Sequence, residues 1–248
     1  MKRRFGLIGK KLDHSFSVSY FAEKFQKEGI RDASYEAFPL ERIEDYPALL
    51  EDRPELMGLN VTIPYKASIL SYLDRISPTA RTIGAVNTVR LSHGMQEGFN
   101  TDVTGFEEDI HPILGEGKQA MILGTGGASK AVRYVLTGRG YDICQVSRST
   151  QGEGRLTYEA LTPDRIADQD LIVNCTPLGT WPDTEECPPI PYEGIKSGTV
   201  LYDLIYNPYR SKFLQKGEAE GAIVRNGYGM LVGQAEMAWR IWNEGNSN

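Results

Sequence analysis

The residues best suited to chemistry fall into three groups. The first is the run Gly124-Thr125-Gly126-Gly127-Ala128-Ser129, which follows the apolar stretch Met121-Ile122-Leu123 and precedes a helical pattern. Strand, glycine-rich turn and helix in that order form a dinucleotide-binding fingerprint. The glycines let the backbone turn tightly against a pyrophosphate, and the helix N-terminus supplies N–H groups and a positive dipole end. Ser129 stands where the third glycine of the fingerprint usually falls. The next strand, Ile143-Cys144-Gln145-Val146, ends in Ser147-Arg148-Ser149, with no acid to bond a ribose 2′-hydroxyl. Arg148 and its flanking hydroxyls suit a 2′-phosphate, which points to NADP rather than NAD.

The second group is Asn60-Val61-Thr62-Ile63-Pro64-Tyr65-Lys66, at the end of an apolar strand. Alternation puts Asn60 and Thr62 on one face and Val61 and Ile63 on the other. Lys66 is expected to open a helix, an unfavourable end for a cation. That makes it a candidate acid–base group, though a surface lysine fits the same position. The third group comprises Gly84-Ala85-Val86-Asn87-Thr88 and Asn100-Thr101-Asp102. These are compact neutral donors and acceptors beside one carboxylate. Thr101 or Asp102 could equally cap the helix beginning near Val103, and Ser15 or Ser17 of His14-Ser15-Phe16-Ser17 could cap the first helix.

The elements that must position these groups alternate between short β-type runs and helical patterns, the order of parallel α/β units. Strands are expected at Phe5–Ile8, Ser34–Phe38 and Met57–Thr62, and helices at Ser17–Glu28, Leu40–Leu50 and Tyr65–Leu73, with another starting near Pro78. In the first helix Val18, Phe21, Ala22 and Phe25 share one face. Val86–Leu91 and Gln96–Gly98 pair as a hairpin around His93-Gly94. A second unit starts near Asp102: helix Val103–Ile110, strand Gln119–Leu123, a helix to Gly138, then strands Ile143–Val146, Leu171–Asn174 and Thr199–Leu201. The last helix, Gly229–Asn243, carries Leu231, Ala235, Ala238, Trp239 and Trp242 near one face, with the tryptophans expected in the core. The domain expectation is 1–101 and 102–226, with 227–248 returning to the first domain.

Bulk composition narrows the function. A net charge of -6 and a pI near 5.3 give no general attraction to nucleic acid or to an anionic membrane. Three cysteines, Cys144, Cys175 and Cys187, make no disulfide framework and suit a reducing compartment. The three histidines lack metal-ligand spacing, so no protein-bound metal is expected. The apolar run Phe5–Gly9 is too short for a signal-peptide core, and no segment has the length of a membrane span, so a cytoplasmic protein is expected.

Taken together, HSFS, NVTIPYK, GAVNT, NTD, GTGGAS, NCTPLG, DLIYNP and GMLVGQA, in this order over nearly the whole chain, resemble the shikimate dehydrogenase family. The resemblance implies an α/β fold: an N-terminal α/β substrate domain, a Rossmann-like NADP-binding domain, and a C-terminal helix packing back on the first. It implies reduction of 3-dehydroshikimate to shikimate, in the route to chorismate and aromatic amino acids. By position, it implies Lys66 as the catalytic lysine and Asp102 as its carboxylate partner. Ser15 and Ser17 would hold the substrate carboxylate with Tyr206, and Thr62, Asn87, Asp102 and Gln234 would meet the substrate oxygens. Gly124, Thr125, Gly126, Gly127, Ala128, Ser147 and Arg148 would hold the cofactor, with Leu204 and Gly227 at the nicotinamide end. A monomer or homodimer is expected, with a small-molecule substrate as partner.

The chain departs from the family in a shortened segment after Ser149, where Arg155 is the next basic residue. Thr125 also replaces a commoner alanine, and Pro78 stands where relatives often carry an acid. These differences bear on cofactor affinity more than on reaction type. Two rivals remain at this stage: an NAD-dependent quinate/shikimate dehydrogenase, and a noncatalytic metabolite or nucleotide sensor on the same fold. Arg148 and Thr62 weigh against the first, and retention of Lys66 with Asp102 weighs against the second.

Overall fold

A computed structural model of the chain describes residues 3–12, 15–149 and 155–244. Two compact units emerge: residues 1–101 with 235–248, and residues 102–234. The first begins with β1 (Arg3–Gly9), α1 (Phe16–Lys27), β2 (Ala33–Pro39), α2 (Tyr46–Asp52) and β3 (Leu56–Val61). It continues with β4 (Arg75–Ile76), α3 (Pro78–Ile83), β5 (Thr88–Ser92) and β6 (Met95–Phe99). The second holds α4 (Asp102–Ile110), β7 (Gln119–Leu123), α5 (Gly127–Gly138), β8 (Asp142–Ser147), β9 (Arg155–Thr157) and α6 (Pro163–Ala167). After these come β10 (Leu171–Asn174), β11 (Val200–Asp203), α7 (Lys212–Ala219), β12 (Ile223–Asn226) and α8 (Tyr228–Asn243), whose last turns are counted with the first unit.

The first unit is built on a mixed sheet ordered β2-β1-β3-β5-β6-β4. β1 lies parallel to β2 and β3, whereas β5 runs antiparallel to β3 and β6. Phe5, Leu7 and Ile8 are all buried, as a central strand covered on both faces requires. The expected hairpin forms around His93 and Gly94, both at positive φ, 52° and 75°. That backbone twist matches the flanking strands. From α8, Trp242 stacks on Phe5 at 4.9 Å and donates its indole N–H to the Val89 carbonyl at 2.9 Å. A Cβ at Gly58 would lie 2.2 Å from that indole, so the strand can pass only as glycine. Trp242 is therefore core, while Trp239 is partly buried against the same cluster.

The second unit is a fully parallel sheet ordered β12-β11-β10-β7-β8-β9. Its interior strands read as near-continuous apolar runs, with Ala120 to Leu123 and Leu171 to Val173 buried. The strand order reverses between β7 and β10, and the crevice beyond the carboxyl ends there is where open α/β sheets bind ligands. Asp109 on α4 ties the other edge together. It accepts from Tyr202 Oη at 2.7 Å and from Arg225 Nε at 3.1 Å.

Several sequence expectations change. The helix expected over Tyr65–Leu73 is a run of turns followed by a short 3-10 helix, Ser68–Tyr72. There Ser68 and Ser71 donate their hydroxyls to nearby carbonyls, local bonds that compete with an α-helix. Lys66 therefore does not open a helix. The helix expected over Leu40–Leu50 starts only at Tyr46, after a 3-10 turn Ile43–Asp45. On α1 Ala22 is exposed and Lys24 is buried, its ammonium held between Glu28 and Glu236 at 2.7 and 2.8 Å. Arg155 opens the short strand β9. The return to the first unit falls at Ala235, not Gly227, because Met230 packs into the core of the second unit with Phe106 and Tyr202. His14 and residues 150–154 lie outside the described residues.

Candidate functional site

In the first unit Asn87 belongs to a buried polar chain. Pairing of β3 with β5 sets Asn60 opposite Thr88. Asn60 Nδ2 donates to Thr88 Oγ1 at 3.2 Å and to the Asn87 carbonyl at 3.3 Å, while its Oδ1 accepts from Tyr35 Oη at 2.7 Å. Asn87 then grips Thr101. Its Oδ1 accepts the Thr101 N–H at 2.7 Å, and its Nδ2 donates to Thr101 Oγ1 at 3.0 Å. The Thr101 hydroxyl is thus engaged by Asn87, and the residue that follows is Asp102. Asn60, Asn87, Thr88 and Thr101 are all nearly inaccessible to solvent. Such a network stays ordered because any member left unpaired costs about 1–3 kcal/mol.

Ser15 occupies the N-cap of α1, yet its side chain makes no capping bond. Ser17, one turn before Phe21, faces the Tyr35 hydroxyl, and Phe21 stacks on the Tyr35 ring at 4.4 Å. Burial pushes the Tyr35 phenol well above its ordinary range, so it remains a neutral donor. Thr62 and Lys66 are half-buried, and the Lys66 carbonyl is fixed by the Val86 N–H at 2.7 Å. Ile63, between them, is 76% exposed.

In the second unit the glycine-rich turn follows β7 at the reversal of strand order. Gly124 has φ 103°, a conformation that glycine adopts without strain, and its N–H donates to the Val146 carbonyl at 2.8 Å. A Cβ there would lie 3.1 Å from the Cys175 carbonyl, so the loops after β7 and β10 meet at this point. Gly126 caps the twelve-residue α5, and a Cβ on it would meet nothing within 4 Å. The turn therefore presents an open backbone face and a helix N-terminus, a fit for a dinucleotide pyrophosphate. Thr125, Gly127 and Ala128 line the same turn, and the Ser129 hydroxyl donates back to the Gly126 carbonyl at 2.7 Å. Ser147 ends β8, the neighbouring strand, and Arg148 follows it, exposed.

Three further candidates fall on two other contacts of this unit. Gly227 lies against Leu204, with its N–H on the Ile205 carbonyl at 3.1 Å. Gln234, on α8, lies on α4 at Gly105, where a Cβ would meet the Gln234 N at 2.8 Å. Gly105 is three residues after Asp102 on that helix, and both Asp102 and Gln234 are buried. Tyr206 is half-buried in the loop after β11.

Sequence reasoning missed the residue that holds this loop. Asp203 is fully buried and accepts from Asn174 Nδ2 and the Ile205 N–H, both at 3.0 Å, and from the Ser211 hydroxyl. Burial raises its carboxyl to about 6 despite those donors. The available signal was an acid at the end of an apolar strand in DLIYNP. Tyr35 was also passed over as a functional residue, and Thr88 and Thr101 were named within their motifs without a functional role of their own. A cavity of about 500 Å³ exists at the opposite end of the second sheet, lined by Tyr141, Asp168 and Lys196, and none of the candidates reaches it. Burial pushes the Cys175 thiol up, which suits a structural rather than a nucleophilic role.

A parallel sheet with a glycine-rich turn at its switch point defines the second unit as a Rossmann-like dinucleotide-binding unit. The model of the shikimate dehydrogenase substrate binding domain matches residues 7–89, in the first unit. A shikimate dehydrogenase (NADP(+)) of Methanococcus maripaludis is 37% identical, over 96% of this chain and 90% of its own. One of Clostridium botulinum is 38% identical, over 96% and 95%. The crystal structure of shikimate 5-dehydrogenase from Thermus thermophilus, in complex with NADP(H) and shikimate, is 33% identical with a TM-score of 0.86, covering 98% of this chain and 94% of that one. The chain belongs to the shikimate dehydrogenase family.

Proposed function

We propose that this protein reduces 3-dehydroshikimate reversibly to shikimate with NADPH, in the cytoplasm. The observation that carries the reading is the glycine-rich turn at the switch point of the second sheet, in a chain that aligns end to end with NADP(+) shikimate dehydrogenases. Gly124 to Ala128 would hold the pyrophosphate, Ser147 and Arg148 the 2′-phosphate, and Leu204 with Gly227 the nicotinamide end. When bound, the cofactor would supply the hydride to the ring carbonyl carbon.

The side chains do the rest. Negative charge grows on the carbonyl oxygen as the carbon is reduced, and the Lys66 ammonium stabilises that oxygen and gives it a proton. Asp102 orients Lys66. Ser15, Ser17 and Tyr206 take the substrate carboxylate, and Thr62, Asn87 and Gln234 bond its oxygens. Neutral donors suit a polyhydroxylated ring, because each mismatched hydroxyl would leave a buried partner unpaired.

Steady-state assays following NADPH absorbance test the reading. Turnover is expected with 3-dehydroshikimate and NADPH, and little with quinate and NAD. Turnover of quinate with NAD at a higher kcat/KM would move the protein to the NAD-dependent branch, and no turnover of either pair would leave a sensor.

A further inference from the structure

We propose that Thr88 is a positioning residue for the reduction, acting through Asn87 and Thr101. The inference rests on the reading above that Asn87 and Asp102 meet the substrate. Thr88 is fully buried, and its hydroxyl is the junction of the polar chain in the first unit. It accepts from Asn60 Nδ2 at 3.2 Å, donates to Asn87 Oδ1 at 3.2 Å and lies 3.2 Å from Thr101 Oγ1. One oxygen thus touches three side chains from three segments.

The Thr101 N–H can only donate, so the atom of Asn87 facing it is an acceptor, Oδ1. The Asn60 amide is oriented in the same way: its Nδ2 faces a carbonyl, that of Asn87, and its Oδ1 takes the single Tyr35 proton. Thr88 receives from Asn60 and passes its own proton toward Asn87 Oδ1, so one hydroxyl links the two amides in the orientations that Tyr35 and Thr101 select. The Asn87 amide in turn sets Thr101, and Thr101 immediately precedes Asp102. Without the hydroxyl, Asn60 Nδ2 keeps only the 3.3 Å contact to the Asn87 carbonyl, and Asn87 Oδ1 keeps the Thr101 N–H and hydroxyl but loses its link to Asn60.

Thr88→Val keeps the β-branched shape on β5 and removes only the hydroxyl. It is expected to lower kcat/KM for 3-dehydroshikimate about ten- to a hundredfold, the range set by one or two buried polar groups left unpaired. The KM for NADPH should stay within about twofold of the wild type, and Thr88→Ser should recover most of the activity, because its hydroxyl can occupy the same junction. Should the valine variant not fold, the pair Thr88→Ala and Thr88→Ser differs by the hydroxyl alone and reads the same quantity. Wild-type kinetics in Thr88→Val, or equal damage in the serine and alanine variants, overturns the proposal. Asn87→Ala, assayed alongside, separates the two levels: if it retains wild-type kinetics, the substrate reading fails and takes the proposal with it. If Asn87→Ala is impaired while Thr88→Val is not, only the proposal fails.

Discussion

Gly227 packs so closely on Leu204 that a Cβ at position 227 would stand 2.3 Å from the Leu204 carbonyl oxygen and 2.6 Å from its carbon. Both neighbours are backbone, so no side-chain rotation can relieve the clash. Gly227→Ala must push the loop after β11 away from β12. The expected cost is about 1–3 kcal/mol of stability, the usual penalty of overpacking, read by urea unfolding. On the proposal that Leu204 and Gly227 hold the nicotinamide end, the KM for NADPH should rise as well. A variant with wild-type stability and cofactor KM would show that the loop shifts freely and that the contact positions nothing.

Lys66→Ala tests the proposed acid. The side chain is half-buried in a turn rather than at a helix start, so the helix dipole gives no account of its reactivity. What remains is the turn itself, whose Lys66 carbonyl accepts the Val86 N–H at 2.7 Å, one residue before Asn87. Turnover should fall by at least about a hundredfold, as loss of a general acid does, with the substrate KM changed far less. Single-turnover measurements with saturating NADPH check this, and near-normal turnover would remove Lys66 from the chemistry.

How much of this was legible in the sequence differs between fold and site. The α/β alternation, the hairpin at His93-Gly94 and the glycine-rich turn were readable, because each rests on local pattern and turn chemistry. The strands β4, β9 and β12 were not. The first two have two and three residues, and β12 alternates exposed and half-buried positions at the sheet edge. α7 carries Gly217, which reads as a helix breaker, yet a Cβ there would sit 2.2 Å from Leu201, so packing on β11 demands the glycine. At the site, motif residues such as Asn87 and Asp102 could be named one by one. The bonds among Tyr35, Asn60, Thr88 and Thr101 depend on strand register across β2, β1, β3 and β5, which short apolar runs do not specify.

Asp203 should give the protein a measurable pH signature. Its carboxyl is raised from 3.8 to about 6 by burial, so the folded state binds its proton more tightly than the unfolded chain. The sign follows from linkage: this contribution to stability is full below the unfolded value, near 4, and is lost as pH rises through about 6. Glu236, whose carboxyl Lys24 and Tyr20 hold below its usual range, works in the opposite direction, so the comparison needs a reference variant. The stability of the wild type minus that of Asp203→Asn should be larger by about 2 kcal/mol near pH 4.5 than near pH 7.5. Urea unfolding at the two pH values measures it, and a difference independent of pH would mean that Asp203 ionises as freely in the fold as outside it.

Arg148 is the proposed determinant of cofactor choice. It is exposed just after β8, near Tyr158, whose phenol is pushed up by burial and only partly drawn back by the Arg148 charge, and the neighbouring strand register sets Ser147 opposite Thr157. Nothing acidic stands in the Ser147-Arg148-Ser149 run to bond a 2′-hydroxyl, so discrimination must come from attraction to the phosphate rather than from a bond reserved for NAD. Arg148→Ala should therefore weaken NADPH and leave NADH almost unchanged. The ratio of their kcat/KM values should fall by about ten- to a hundredfold, the worth of hydrogen bonds to a charged group. Added salt should narrow the wild-type ratio in the same direction, because an exposed ion pair is screened. An unaltered ratio in the variant would transfer the phosphate to another cation, with Arg155, at the start of β9, the next to test.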